Sequence, residues 1–377
     1  MRKALGLLLL LGVVTACVPN PPPGRGPNPT LTVSTVASGF DHIWDIAFTP
    51  DGQWMIFDER VGKIWAKNLS TGETRFLGGP SDVVVHGEGG LLGLAVDPNF
   101  DGINNQFIYA CYDTVVDIRV VRFTTNLTPN SLAVNAGVVT GMPVNTATGR
   151  HSGCRPRFRP GTNPPQLFIG TGDTATDGTI PQNLHSLGGK VLCVTTDGNP
   201  CSNNPGVVNP SWDIDDRIWS WGHRNVQGIA FSATTNAAYT IEHGTGRDDE
   251  VNVMFQGNFG WDPGPFFYDE SHPMTAPGGI EAAWSSGAPT IAPSGGTILS
   301  GGQWKGWQGA AAIAVLKGQH LLVMFFDDLF GFSTIGTTTN MRGAGRLRTA
   351  VQGPDGNLYV STDNGGGNDG ILKAVPS

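Results

Sequence analysis

One pattern recurs along the 377-residue chain: an apolar strand, a turn built on Pro, Asp and Gly, and a second strand rich in β-branched and aromatic residues. It is clear at 46–65 (IAFTPDGQWMIFDERVGKIW), 94–113 (LAVDPNFDGINNQFIYACYD), 157–173 (RFRPGTNPPQLFIGTGD) and 350–375, and weaker at 229–244 and 313–332. Each unit alone would leave one hydrophobic face in water, whereas six copies set radially bury every face and leave only short sheet edges. The expected fold is all-β, a six-bladed β-propeller. Dividing about 345 residues by six gives roughly 58 per unit, above the ~40–50 of common propeller repeats, so insertions are expected. A β-sandwich with extra hairpins also uses short strands, but it does not account for the repeated strand–turn–strand order. The 54 glycines, 27 prolines and 14% charged residues suit tight turns, and no stretch beyond the N-terminus shows a helical period.

The start of the chain reads differently. Arg2 and Lys3 precede an apolar run of about 13 residues, too short to span a bilayer and suited to a signal peptide. Val14-Thr15-Ala16-Cys17 resembles a bacterial lipobox, so residues 1–16 are expected to be removed and Cys17 lipidated; an ordinary signal peptide with an incidental cysteine is the alternative. Residues 17–30 are rich in Pro and Gly and read as a semi-extended tether, leaving 31–377 as the folded domain. The expected location is extracytoplasmic, at the cell envelope, with the membrane reached through the lipid alone. Without residues 1–16, 21 basic groups face 31 acidic ones, and the net charge falls from −8 to −10. Such a surface repels nucleic acid. Cys111, Cys154, Cys193 and Cys201 remain, an even number for an oxidising compartment. Cys193 and Cys201 flank the turn-rich VTTDGNP and pair most readily, which leaves Cys111 with Cys154; buried free thiols are the alternative.

Propeller ligands bind where loops of different blades converge at one axial face, which directs attention to polar clusters at matching points of the repeats. Four stand out: HGEGGLLGLAVDP (86–98), GRHSGCRPRF (149–158) with its returning FIGTGD, WGHRNVQGIAF (221–231) with its returning IEHGTGRDDEVN, and GAGRLRTAVQGPDG (343–356). Arg346 and Arg348 alternate along an extended strand and so share a side. Singly, each cluster also suits an ordinary surface loop, and arginines at i, i+2 commonly pair with acids. GGGNDG (365–370) fits GxGxxG without a following helix to receive a phosphate. No HExxH, Walker loop, GxSxG or CxxC is present.

The ordered set GEGGLLGLAVDPNF, HSGCR with GTGD, GHRNVQGIAF, EHGTGRDDEVN with GNFGW, and GRLRTAVQGPDGNLYVSTD resembles the soluble glucose/sorbosone dehydrogenases from about residue 40 to the C-terminus. That resemblance implies a six-bladed propeller using pyrroloquinoline quinone (PQQ) and calcium to oxidise an aldose at its anomeric carbon to the lactone, with electrons passing to an external acceptor. It implies that His151 is the general base. An imidazole titrating near neutrality suits proton abstraction, and Asp173 can hold its tautomer. It implies that Arg224 and Asn225 contact the quinone oxygens, Arg224 stabilising the charge that develops there. Arg346 and Arg348 match the pair that binds the cofactor's carboxylates, a task suited to the guanidinium fork. Main-chain carbonyls at Gly244 and Thr245 match the calcium segment.

Three positions differ from the glucose-oxidising members. Glu88 and His243, at cofactor-facing positions, stand where those proteins carry glutamine, and Asp327 falls where they carry lysine. A carboxylate at 327 would repel a tricarboxylate cofactor, although carboxylates also recruit calcium. Two other functions fit the same fold. One is a cofactor-free surface binding module in the manner of Hedgehog-interacting relatives; the other is a calcium-dependent lactonase activating water.

Overall fold

A computed structural model describes residues 25–377 except 236, 266 and 327–333, with backbone only over 334–339. Cys17, the leader before it and Asp327 lie outside the described residues. Six small sheets form the six-bladed β-propeller. Their first strands are Ile46–Phe48, Leu91–Val96, Arg155–Phe158, Val226–Phe231, Pro293–Ile298 and Leu347–Gln352, for blades one to six in that order. Each touches the first strand of the next blade, and the sixth touches the first, closing a ring around the axis. Among the described residues the only helices are Pro205–Val208 and the 3-10 turn Gly302–Trp307, and none is long and apolar enough to cross a membrane.

The strands read as apolar runs because the inner ones are covered on both faces. In Phe107–Asp113 of blade two, Ile108, Ala110 and Tyr112 pack with residues of blade one, while Tyr109 and Cys111 pack with blade three. That is the alternation of a pleated strand, with hydrophobic cores lying between blades. Five repeats fall on the first and second strands of a blade, and the one at 313–332 does not. It covers Ala311–Val315 and His320–Phe326, the second and third strands of blade five. The true first strand there, PSGGTI, is disguised by Gly295 and Gly296. A Cβ on Gly295 would lie 2.2 Å from Thr349 Oγ1. Part of the extra length per repeat lies in the long connection of blade four, where Gly257–Asn258 crosses over to become a parallel fifth strand of blade three.

Blade six is closed by the two ends of the chain, Leu31–Phe40 pairing antiparallel with Asp369–Pro376. Residues 25–30, expected within the tether, are docked. Arg25 donates to the Phe326 carbonyl, Trp307 Nε1 donates to Asn28 Oδ1 at 2.6 Å, and Thr30 N donates to Ser377 O. These contacts lie at the end of the ring where Leu31 meets Pro376, opposite the end where Phe40 meets Asp369.

The axis itself is plugged. Arg155, fully buried, lies over the Trp44 ring at 3.9 Å. It donates to the Gln227 carbonyl at 2.8 Å and to Thr349 Oγ1 at 3.3 Å, and pairs with Asp45 at 2.5 Å. A residue of blade three thus ties blades one, four and six together. The expected disulfides are both formed, Cys111–Cys154 and Cys193–Cys201. The first staples blade two to the loop entering blade three.

Candidate active site

In each antiparallel blade the first strand begins at the end of the ring where the second one finishes. Loops before first strands and residues after second strands therefore meet at one mouth. His151, Arg224 and Arg346 precede first strands, while Arg60, Asp173, His243 and Asp363 follow second strands. Four separate polar clusters of the sequence are in this way brought to one place.

His151 sits at the centre of a stitched loop. It is 3% exposed and holds a left-handed backbone (φ 53°), a conformation that side chains other than glycine adopt only where surrounding contacts fix it. Its backbone N–H donates to Glu88 Oε2 at 3.3 Å, Ser152 Oγ donates to Asp113 Oδ2 at 2.7 Å, and Gly153 N donates to Asn225 Oδ1 at 3.2 Å. Gly172, the second glycine of GTGD, makes this approach possible, since a Cβ there would stand 1.8 Å from the His151 carbonyl.

On the ring itself, Nδ1 lies 2.7 Å from Asp173 Oδ1. The other carboxylate oxygen accepts from Trp261 Nε1 at 2.7 Å and from the Tyr268 hydroxyl at 2.9 Å. Burial alone would raise Asp173. The His151 and Arg224 charges and the donated bonds outweigh it and hold the acid below the usual carboxylate range. An ionised Asp173 keeps the proton on Nδ1 and leaves the lone pair on Nε2, where Arg150 Nη2 lies 3.5 Å away.

The stretch HRNVQ divides its work. His223 is structural: its ring stacks on Phe259 and bonds to Glu242 and Ser220. Arg224 Nη1 donates to the His243 carbonyl at 3.0 Å and Nη2 to Glu270 Oε1 at 2.5 Å. Gln227 Oε1 accepts from Arg348 Nη1 at 2.9 Å. Arg348, buried, also holds Asp363 through Nε and Nη2. Arg346 precedes the strand Leu347–Gln352, is half-exposed and donates to the Asp363 carbonyl at 3.2 Å, so both arginines converge on Asp363. His243 is pushed down to about 3 by burial and then by Arg348, Arg224 and His151, whose charges all reach it. It is neutral at working pH.

A strap that the sequence marks only as an insertion crosses the mouth. Tyr268 bonds to Asp173, and Glu270 accepts from Arg150 Nη2 at 2.8 Å as well as from Arg224. The polar run Asp-Glu-Ser-His in YDESHPMTAPGG was the available signal, but its partners lie in other blades. Beside the strap, a cavity of about 690 Å³ opens against Thr245, Asp248 and Glu270. The Gly244-Thr245 turn is fixed from below by Asp249, whose carboxylate accepts from the backbone of Gly244, Ile291 and Ala292.

Several buried polar atoms at the mouth have no partner: Arg224 Nε, Asn225 Nδ2, His243 Nε2 and Arg60 Nε. Leaving such a group unsatisfied costs about 1–3 kcal/mol each. Convergence of several from different blades fits an oxygen-rich ligand.

Asp113, under the His151 loop, is pushed up to about 7 by burial, which its Ser152 bond only partly offsets. Its folded value lies above the unfolded one, so the folded state holds a proton that the unfolded chain has released. The stability it contributes is fully present below the unfolded value and is lost as pH rises through 7. Thermal unfolding followed between about pH 5 and about pH 8 should therefore show a shallower decline for Asp113→Asn than for the wild type. Parallel profiles would remove Asp113 as the source.

Fold and mouth together define an oxidoreductase of the sugar dehydrogenase class. Residues 40–373 match the glucose/sorbosone dehydrogenase family, and the chain belongs to it. It is 30% identical to the aldose sugar dehydrogenase YliI of Escherichia coli (strain K12) over 364 residues, 92% of this chain and 93% of that protein. The PQQ-bound form of aldose sugar dehydrogenase from Streptomyces coelicolor superposes with a TM-score of 0.74 at 28% identity, covering 93% of this chain and all of the other. The apo-form of the soluble aldose sugar dehydrogenase from Escherichia coli gives 0.77 at 28% identity, covering 92% and 100%.

Proposed function

We propose that the protein is an exported, PQQ- and calcium-dependent aldose dehydrogenase that converts the anomeric carbon of its sugar to a lactone and delivers the electrons to an external acceptor. The reading rests on the meeting of a carboxylate-held imidazole with unsatisfied buried donors at one mouth. Arg224, Asn225 and His243 would face the quinone oxygens, Arg346 and Arg348 the cofactor's carboxylates, and Glu88 would act through the backbone of His151. Bound PQQ supplies the acceptor for the hydride leaving C1. His151 Nε2 takes the proton of the anomeric hydroxyl, so the sugar loses H⁻ and H⁺ and its C1–O1 bond becomes a carbonyl. Asp173 stabilises the imidazolium as it forms, and Tyr268 and Trp261 hold Asp173. Main-chain carbonyls of the Gly244-Thr245 turn, which Asp249 fixes through its bond from Gly244 N, would hold the calcium. Export with a lipid at Cys17 completes the proposal.

Purified apoprotein should take up PQQ with calcium, change the quinone spectrum and reduce a dye with a panel of aldoses. A chelator should abolish turnover, and added calcium should restore it; activity indifferent to the chelator would remove the metal from the scheme. No spectral change and no turnover would leave the cofactor-free binding module standing.

A further inference from the structure

Arg60 follows the second strand of blade one, Trp54–Glu59, and its backbone is fixed on both sides. Its N–H donates to His42 O at 3.0 Å, and its carbonyl accepts from Leu91 N at 2.9 Å. The side chain runs over Gly90, where an added Cβ would lie 2.8 Å from Arg60 Cγ, so the glycine keeps that course open. The charges of Asp363 and Arg348 in blade six, of Glu88 at the entry of blade two and of Asp41 all act on the guanidinium. Arg60 is partly exposed and, like Asp173, His243 and Asp363, follows the second strand of its blade.

What separates Arg60 from its neighbours is that its side chain donates to no described residue, and its Nε is buried without a partner. Arg348 commits three nitrogens to Asp363 and Gln227. Arg224 is engaged by the His243 carbonyl and Glu270. Asp363, the acid closest in charge to Arg60, is already occupied, with Oδ2 taken by Arg348 and Oδ1 at 2.5 Å from His42 Nδ1. Arg60 and Arg348 thus repel one another in a partly desolvated space, while Asp363, Asp41 and Glu88 attract Arg60 without a hydrogen bond to its side chain, so its donors stay open to an entering anion.

We propose that Arg60 is a fourth arginine of the cofactor cradle, binding one carboxylate of PQQ through its planar fork while Arg346 and Arg348 serve the others. The proposal rests on the PQQ reading above. A guanidinium without internal partners is the better anion receptor, since binding to it breaks no existing bond.

The test is a binding titration that needs no turnover: PQQ added to calcium-loaded apoprotein and followed by quenching of tryptophan fluorescence. Arg60→Met should weaken binding by about 10–100-fold, and Arg60→Lys should recover part of the loss. The trimethyl ester of PQQ should lose this sensitivity, with wild type and Arg60→Met differing by no more than about threefold, as expected when both partners of one pair are removed. Thermal unfolding of each variant checks the fold, and Arg60→Gln replaces the methionine variant if that one does not fold. Wild-type binding with unchanged affinity in Arg60→Met overturns the role of Arg60 and leaves the PQQ reading intact. An equal penalty for PQQ and its ester makes Arg60 merely structural and also overturns it. Absence of PQQ binding by the wild type sinks both.

Discussion

His151→Ala should lower kcat by about 10²–10⁴-fold while PQQ affinity stays within about threefold of wild type. The separation follows from the ring's place in the site. Nδ1 is occupied by Asp173, and the cradle of Arg224, Asn225 and the blade-six arginines is anchored through other bonds. Removing the imidazole therefore takes away a proton acceptor and little of the binding surface. Stopped-flow reduction of the loaded enzyme by sugar reads the chemical step directly. A variant that turns over normally but binds PQQ poorly would assign His151 to the cradle and leave the reaction without its base.

Arg155→Met should cost about 3–5 kcal/mol of stability, measured by chemical denaturation, because it strips one partner from a buried ion pair. Methionine has similar bulk, so the loss is electrostatic rather than a cavity. Burial pushes the guanidinium down to about 9, still charged at neutral pH, and Asp45 is held below its ordinary value by Arg155 and Arg157 despite full burial. With Arg155 gone, the carbonyl of Gln227 loses a donor, the Trp44 ring loses the nearer of its two cations, and Arg157 is the one guanidinium left on Asp45. Arg155→Lys should not rescue, since one ammonium cannot serve blades one, four and six together. A loss below about 1 kcal/mol would mean that the ring closes without its central tie.

The six-fold pattern was legible because it is local. A strand buried on both faces, a Pro/Asp/Gly turn and a second such strand lie within some twenty residues. The copy at 313–332 was displaced by one strand for a local reason too: PSGGTI has little to mark it as a strand, and its glycines are explained only by Thr349 of the next blade. The glycine-flanked clusters around His151, Arg224 and Arg348 were readable as polar groups at equivalent points of a repeat. Their partners were not. Tyr268 and Glu270 meet Asp173 and Arg224 across 95 and 46 residues, and Arg155 reaches Thr349 across 194. Such pairings exist only once the ring has closed, and no spacing in the chain encodes them. Arg60 shows the same limit, for in the sequence it is one more charge beside a turn.

The docking of residues 25–30 fixes an orientation. Arg25 is fixed at the face remote from His151, so a lipid at Cys17, as proposed above, would hold the molecule from the side away from the mouth. Under that proposal a sugar would approach His151 from the bulk phase, unobstructed by the anchorage.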